Sequence, residues 1–215
     1  MSARDRILGR IRAAQGKAPV ASPQERAVVA SYIGARAPGP CPSLDWDPAV
    51  RFRERVLALS STYEDVGAIE DAPRAVAHYL RGQALPLTAV CWPELSSLPW
   101  QEAGLVVETR AARGDDLVGI TGAYCAIAET GTLLLLSGPR TPAAASLLPE
   151  THIALVRANC IVHTMEDAWA LVREEHGMPP RAVNFVSGPS RTADIEQTLT
   201  LGAHGPYRVH VVLVR

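Results

Sequence analysis

Residues 133–136 form an unbroken leucine run, framed by Thr130 and Ser137. A strand with one wet face alternates apolar and polar side chains, so an unbroken run needs cover on both faces. A chain carrying such a strand must place packed layers above and below it. From Ser60 onward, further strand-like runs occupy residues 62–66, 87–92, 104–109, 152–162, 182–186 and 209–214, while 123–128 reads as strand or turn. Between them fall helical stripes. Ala72, Val76, Tyr79 and Leu80 line one face, and Met165, Ala168, Trp169 and Val172 follow a capping box at Thr164 and Asp167. This alternation predicts an α/β fold with a largely parallel or mixed sheet.

The segment before residue 60 reads differently. Residues 1–16 carry arginines around Ile7, Leu8 and Ile11, a short amphipathic helix with Ser2 as N-cap. It lacks the apolar core of a secretion signal. Ser22-Pro23-Gln24-Glu25 is a second capping box, opening a helix to about Ile33. A Pro- and Gly-rich stretch over residues 34–48 then reads as a loop, and Asp47-Pro48 opens a helix with Phe52, Val56 and Leu59 on one face. The expected division is an appendage over residues 1–44 and an α/β domain over 45–215.

Of the 215 residues, 47% are apolar and 20% charged, a balance that supplies a full core. The net charge of −1 leaves no basic footprint for nucleic acid, and no apolar run reaches membrane-spanning length. Cys41, Cys91, Cys125 and Cys160 are scattered, without the close spacing of disulfide, zinc or iron–sulfur frameworks. Cys125 and Cys160 lie in apolar text and are expected as buried, inert thiols in a reducing, cytoplasmic compartment. His152, His163 and His210 are expected on strands, and no metal site is expected.

Polar signals interrupt this apolar text. Residues 188–196 read Gly-Pro-Ser-Arg-Thr-Ala-Asp-Ile-Glu, after the buried strand at 182–186 and before Ile195 and Leu199, an i, i+4 helical pair. A strand-to-helix junction offers free N–H groups and a positive helix end, which favour phosphate or carboxylate. Arg191 adds a charged donor there. Ser190 and Thr192 serve equally as caps, and Arg191 with Asp194 as a surface ion pair. Glu129, at the mouth of the leucine strand, must be solvated, paired or functional: a base, a nucleophile or a partner for Arg191. His204, between Gly202 and Gly205-Pro206, is an acid/base candidate or a loop-bracing histidine. Gly119-Ile120-Thr121-Gly122-Ala123-Tyr124 offers glycine backbone that can turn sharply or let a ligand approach, with a hydroxyl beside it. The candidate set is therefore Glu129 as the catalytic group. Thr121, Thr130, Gly131, Thr132, Gly188, Ser190, Arg191, Thr192, Asp194 and His204 form the anion-binding set.

Four of these segments, at 118–121, 127–133, 188–196 and 201–206, resemble the signature of the LUD domain in order and spacing. The resemblance covers roughly residues 45–215. It implies a three-layer α/β sandwich similar to the ribose-phosphate isomerase, CoA-transferase and formyltetrahydrofolate cyclo-ligase group, with N-terminal helices added. It also implies a role in oxidising L-lactate to pyruvate, beside two partner subunits that carry the iron–sulfur clusters, with no cofactor in this chain. The scattered cysteines agree with that division. The family supplies no established catalytic residue. Two other functions stay open: a free-standing enzyme on a phosphorylated or CoA-linked small molecule, with Glu129 as nucleophile, and a scaffold or regulator without catalysis.

Overall fold

The computed structural model describes residues 2–37, 39–40, 42–192 and 200–215. It divides into two compact units, Met1–Ser43 and Leu44–Arg215. The first unit is a pair of helices, α1 (Ala3–Ala14) and α2 (Pro23–Ala35). Each opens on a reciprocal capping box, Ser2 with Asp5 and Ser22 with Glu25. Arg12 ties them together: its guanidinium reaches Glu25 at 3.0 Å and also donates to the Ala18 carbonyl.

The second unit begins with α3 (Pro48–Ala58), capped by the Asp47 carboxylate. Then follow β1 (Thr62–Val66), α4 (Ala72–Gly82), β2 (Thr88–Cys91), β3 (Val106–Thr109) and β4 (Val118–Gly122). Next come β5 (Cys125–Ile127), β6 (Thr132–Leu136), α5 (Ala144–Leu147), β7 (Thr151–Arg157), β8 (Ile161–Val162) and α6 (Met165–His176). The chain ends with β9 (Val183–Val186), β10 (Arg191–Thr192), β11 (Thr200–Leu201) and β12 (Arg208–Val214).

Six strands make the main sheet in the order β1-β12-β7-β4-β2-β3, and every neighbouring pair is parallel. Parallel strands need cover on both faces. Here α3 supplies one cover, packing Phe52 and Val56 against Ala154, Val156, Val211 and Leu213. On the other face α4 packs Val76 and Leu80 with Ile120, Ile153 and Val212. The α/β architecture expected from the alternating text is therefore present, with helices on both sides of a parallel sheet.

The leucine run sits outside that sheet. It forms β6 in a second, four-stranded sheet of order β8-β5-β6-β9. Leu133 joins the α3-side core, while Leu134 and Leu136 pack on Ala168 and Val172 of α6. Both faces are covered, as the unbroken apolar text demands.

Several local expectations are corrected. Residues 118–122 are not a glycine turn but the fully buried strand β4. Gly119 belongs there because a Cβ would lie 2.0 Å from the Ala145 carbonyl oxygen, so only glycine admits α5. The strand expected over 152–162 ends at Arg157, where a short 3-10 turn at Ala158–Cys160 carries the chain to the second sheet. The segment at 182–186 forms β9, half-buried at an edge rather than buried. Gly188 leads into β10, which pairs with β11, and the expected helical pair Ile195 and Leu199 lies outside the described residues. Cys125 is buried as expected and its thiol is pushed up to about 12 by burial, whereas Cys160 is only half-buried. His152 and His210 are strand residues, but His163 lies in the bend before α6.

Candidate functional site

Two of the signature segments, at 127–133 and 188–192, meet at the C-terminal end of α3. A helix end leaves carbonyls without intrahelical partners. Here the Leu59 carbonyl accepts a 3.1 Å hydrogen bond from Arg191, which also donates to the Ser60 hydroxyl. A cation at a helix C-terminus is also favoured by the helix dipole. Two glycines make the close approach feasible. Gly131 has φ +69°, and a Cβ on it would lie 2.7 Å from Arg55 Cβ and 2.9 Å from the Val56 nitrogen. Gly188 has φ +80°, and a Cβ there would lie 2.7 Å from the Leu59 oxygen.

Around this end the hydroxyls form a chain. Thr130 meets Thr132 at 2.7 Å, and Thr132 meets Ser187 at 2.7 Å. Ser190 braces the last loop: its N–H donates to the Pro206 carbonyl, its own carbonyl accepts from Gly202, and its hydroxyl accepts from the His204 N–H. Thr192 is buried in β10. Glu129 occupies the turn after β5, half-buried, with its N–H bonded to the His163 carbonyl. Its carboxylate has no hydrogen-bond or ion-pair partner among the described residues, and Arg191 turns to the helix end instead. Asp194 lies outside the described residues.

Thr121 stands elsewhere, in the middle of the main sheet. It is fully buried in β4 and makes a 2.7 Å hydrogen bond with His152 Nε2. Burial pushes the His152 imidazole down to about 4, so it is neutral at pH 7.

A second place was not marked by the sequence reading: the carboxyl edge of the main sheet, where open α/β folds bind ligands. A cleft of about 450 Å³ opens there, lined by Trp92, Glu94, Tyr124, Leu136, Thr141 and His176 among others. Glu94 sits in the 3-10 turn Pro93–Leu95 just past β2, and its Oε1 lies 2.9 Å from where a Cβ on Gly122 would stand, beside the Trp92 ring. One edge of Glu94 stays exposed, yet burial against these neighbours raises its carboxyl pKa, while the Arg140 and Arg157 charges act the other way. Across the cleft Tyr124 donates to Glu175 at 2.7 Å, and burial followed by that hydrogen bond raises the phenol. Trp92 is fixed by a 3.0 Å bond from its Nε1 to the Pro142 carbonyl. A carboxylate just past an apolar strand, in Pro93-Glu94, was the signal available in the sequence. Among the described residues no group of three or more His, Cys, Asp or Glu is placed to hold a metal ion. None of the described helices is long and apolar enough to cross a membrane.

Comparison with known proteins adds three findings. The family model of the LUD domain matches residues 72–214. A protein named lactate utilization protein C from Bacillus licheniformis is 32% identical over 127 residues, covering 57% of this chain and 53% of that protein. Its namesake from Bacillus subtilis is 35% identical over 127 residues, with the same two coverages. The chain thus spans about half the length of these curated relatives. Among solved structures, a DUF162 family protein from Deinococcus radiodurans matches with a TM-score of 0.59 at 27% identity, covering 81% of this chain and all of that one.

Proposed function

The chain belongs to the LUD domain family, and from that premise we propose that it is a non-redox component of a system that oxidises L-lactate to pyruvate. The coarse role, lactate utilisation, rests on relatives named lactate utilization protein C at 32% and 35% identity. In this reading the chain works in the cytoplasm beside two partner subunits that hold the iron–sulfur clusters. The observation that supports the non-redox part is the placement of its cysteines: among the described residues no three of His, Cys, Asp or Glu come together to hold a metal ion, and Cys41 lies outside those residues. Cys91 and Cys125 are fully buried, and burial pushes their thiols up to about 11 and about 12. Half-buried Cys160 is shifted upward as well.

The reading is tested with cell extracts of a strain deleted for this chain. L-lactate-dependent reduction of an artificial electron acceptor should be lost, and adding the purified chain should restore it. A rate unchanged by the deletion sinks the reading.

A second reading is supported by one observation, that the Glu129 carboxylate has no hydrogen-bond or ion-pair partner among the described residues. It makes the chain a free-standing enzyme on a CoA-linked substrate, with Glu129 as nucleophile and the hydroxyl-rich turn beside it binding the anionic part. Incubation with acyl-CoA thioesters followed by mass spectrometry should then find an adduct at Glu129. Absence of any adduct, with no turnover, removes this alternative.

A further inference from the structure

We infer that the two-helix unit docks on an anionic lipid surface, laying the exposed apolar side chains of α1 and α2 into the headgroup region while its arginines meet the phosphates.

The unit has no core of its own. No residue of α1 or α2 is buried. Ile7 and Ile11 on α1, and Val28, Val29, Tyr32 and Ile33 on α2, are each between 48% and 80% exposed. Helices of 12 and 13 residues are marginal in water unless an apolar face is packed. Such a face calls for a cover, and charge decides which one.

Residues 1–43 hold seven Lys and Arg against two Asp and Glu, a net charge of +5. Residues 44–215 hold the other 14 basic residues against 20 acidic ones, a net charge of −6. The chain is nearly neutral as a whole, yet its positive charge is concentrated in the unit that lacks a core. A second copy would set +5 against +5, which disfavours self-pairing. An anionic surface is the complementary occupant.

The layout of each helix suits a bilayer interface. Projected down α1, Ile7, Leu8 and Ile11 share an arc of about 100°, with Arg10 and Arg12 at its two borders. Arginine stems at such borders lie along apolar surface while the guanidinium groups reach outward to phosphate. Among the described residues, Arg4, Arg6 and Arg10 have no hydrogen-bond or ion-pair partner, whereas Arg12 is held by Glu25. On α2, Val28, Val29 and Ile33 line a groove of about 720 Å³ together with Lys17 and Arg26. Its one acid, Glu25, is the residue already neutralised by Arg12. Both helices thus set cations beside apolar side chains, the pattern that recognises an anionic amphiphile. A protein partner requires a fixed, shape-complementary contact. A unit without a core offers no such contact, and a lipid surface requires none.

Co-sedimentation of the full chain with vesicles tests this, phosphatidylcholine alone against phosphatidylcholine with about one third phosphatidylglycerol. The chain should bind the anionic vesicles at least about tenfold more tightly, and high salt should remove the preference. Arg6→Glu combined with Arg10→Glu should weaken binding about tenfold or more, while Arg6→Lys combined with Arg10→Lys should stay within about threefold of wild type. Ile7→Ser combined with Ile11→Ser should weaken binding about tenfold, and Val28→Ser combined with Ile33→Ser should do the same from the other helix. All six side chains are exposed, so each variant should keep the wild-type melting temperature. A chain that stays in the supernatant with anionic vesicles overturns the inference and hands the face to an acidic protein surface. Equal binding to both vesicle types overturns it, and so does binding that these substitutions leave unchanged. A dimer in sedimentation equilibrium that Ile7→Ser with Ile11→Ser dissociates also overturns it, because the face then serves a second copy.

Discussion

Arg191 donates a 3.1 Å hydrogen bond to the carbonyl of Leu59, 132 residues earlier in the chain. The contact closes the end of α3 and joins the signature segment at 188–192 to the first helix of the body. An exposed hydrogen bond from a charged donor to a helix-end carbonyl contributes about 1 kcal/mol. Arg191→Ala should therefore fold normally and melt a few degrees lower. Differential scanning calorimetry checks this; an unchanged melting temperature means the contact contributes nothing.

The two signature glycines should be far less tolerant than their charged neighbour. Gly131→Ala and Gly188→Ala each combine a positive φ with a Cβ 2.7 Å from α3 or its end, where backbone atoms also crowd it. Left-handed backbone alone costs an alanine about 1 kcal/mol, and displacing α3 adds to that, giving roughly 2–4 kcal/mol in total. Gly177, at φ +67° with nothing nearby, is the internal control. Gly177→Ala should cost only about 1 kcal/mol. Equal losses at all three positions in urea titrations would show that backbone strain, not the approach to α3, governs these sites.

Within β4 the two glycines differ in what stands against them. A Cβ on Gly119 meets the Ala145 carbonyl oxygen at 2.0 Å, so Gly119→Ala should displace α5 and lose several kcal/mol, at the upper end for single substitutions. A Cβ on Gly122 meets only the movable end of Glu94, at 2.9 Å. Gly122→Ala should change stability by less than about 1 kcal/mol while displacing the Glu94 carboxylate. A Gly122→Ala protein that unfolds like Gly119→Ala would contradict this division.

Two buried histidines set the acid limit. Burial pushes both His152 and His210 down to about 4. His152 is hydrogen-bonded to Thr121, and His210 is bonded to Thr62 and stacked on Tyr79 at 3.9 Å. In the unfolded chain each titrates near 6.5. Between these values the unfolded state binds more protons, so stability falls as pH drops from about 6.5 to about 4. Each histidine accounts for roughly 3 kcal/mol of loss at the lower limit. Unfolding free energies at pH 7.5, 6 and 5 should decline accordingly, and His210→Gln should flatten the slope. A slope independent of both histidines would refute the assignment.

Much of the fold was legible because its signals are local. The leucine run announced a strand covered twice, and the capping box at Thr164 fixed the start of α6. β4 was obscured by Gly119 and Gly122, which look like turn residues but serve close approach to α5 and Glu94. The turn after Gly188 was obscured for a different reason. Ser190 bonds to Pro206 and Gly202, drawing residues 191–192 into a ladder with 200–201, and no local pattern carries that long-range partner. Glu94 and Gly122 are 28 positions apart, and only the pairing of β4 beside β2 makes them neighbours. The signature residues could be found as a set, but the meeting of Gly131, Gly188 and Arg191 at α3 could not.

The central claim is that this chain serves lactate utilisation. Growth of a strain deleted for it, and free of any second copy, on L-lactate as sole carbon source is the most direct measurement. The account predicts no growth on L-lactate, normal growth on pyruvate, and rescue by the chain supplied on a plasmid. Normal growth of the deleted strain on L-lactate would contradict it.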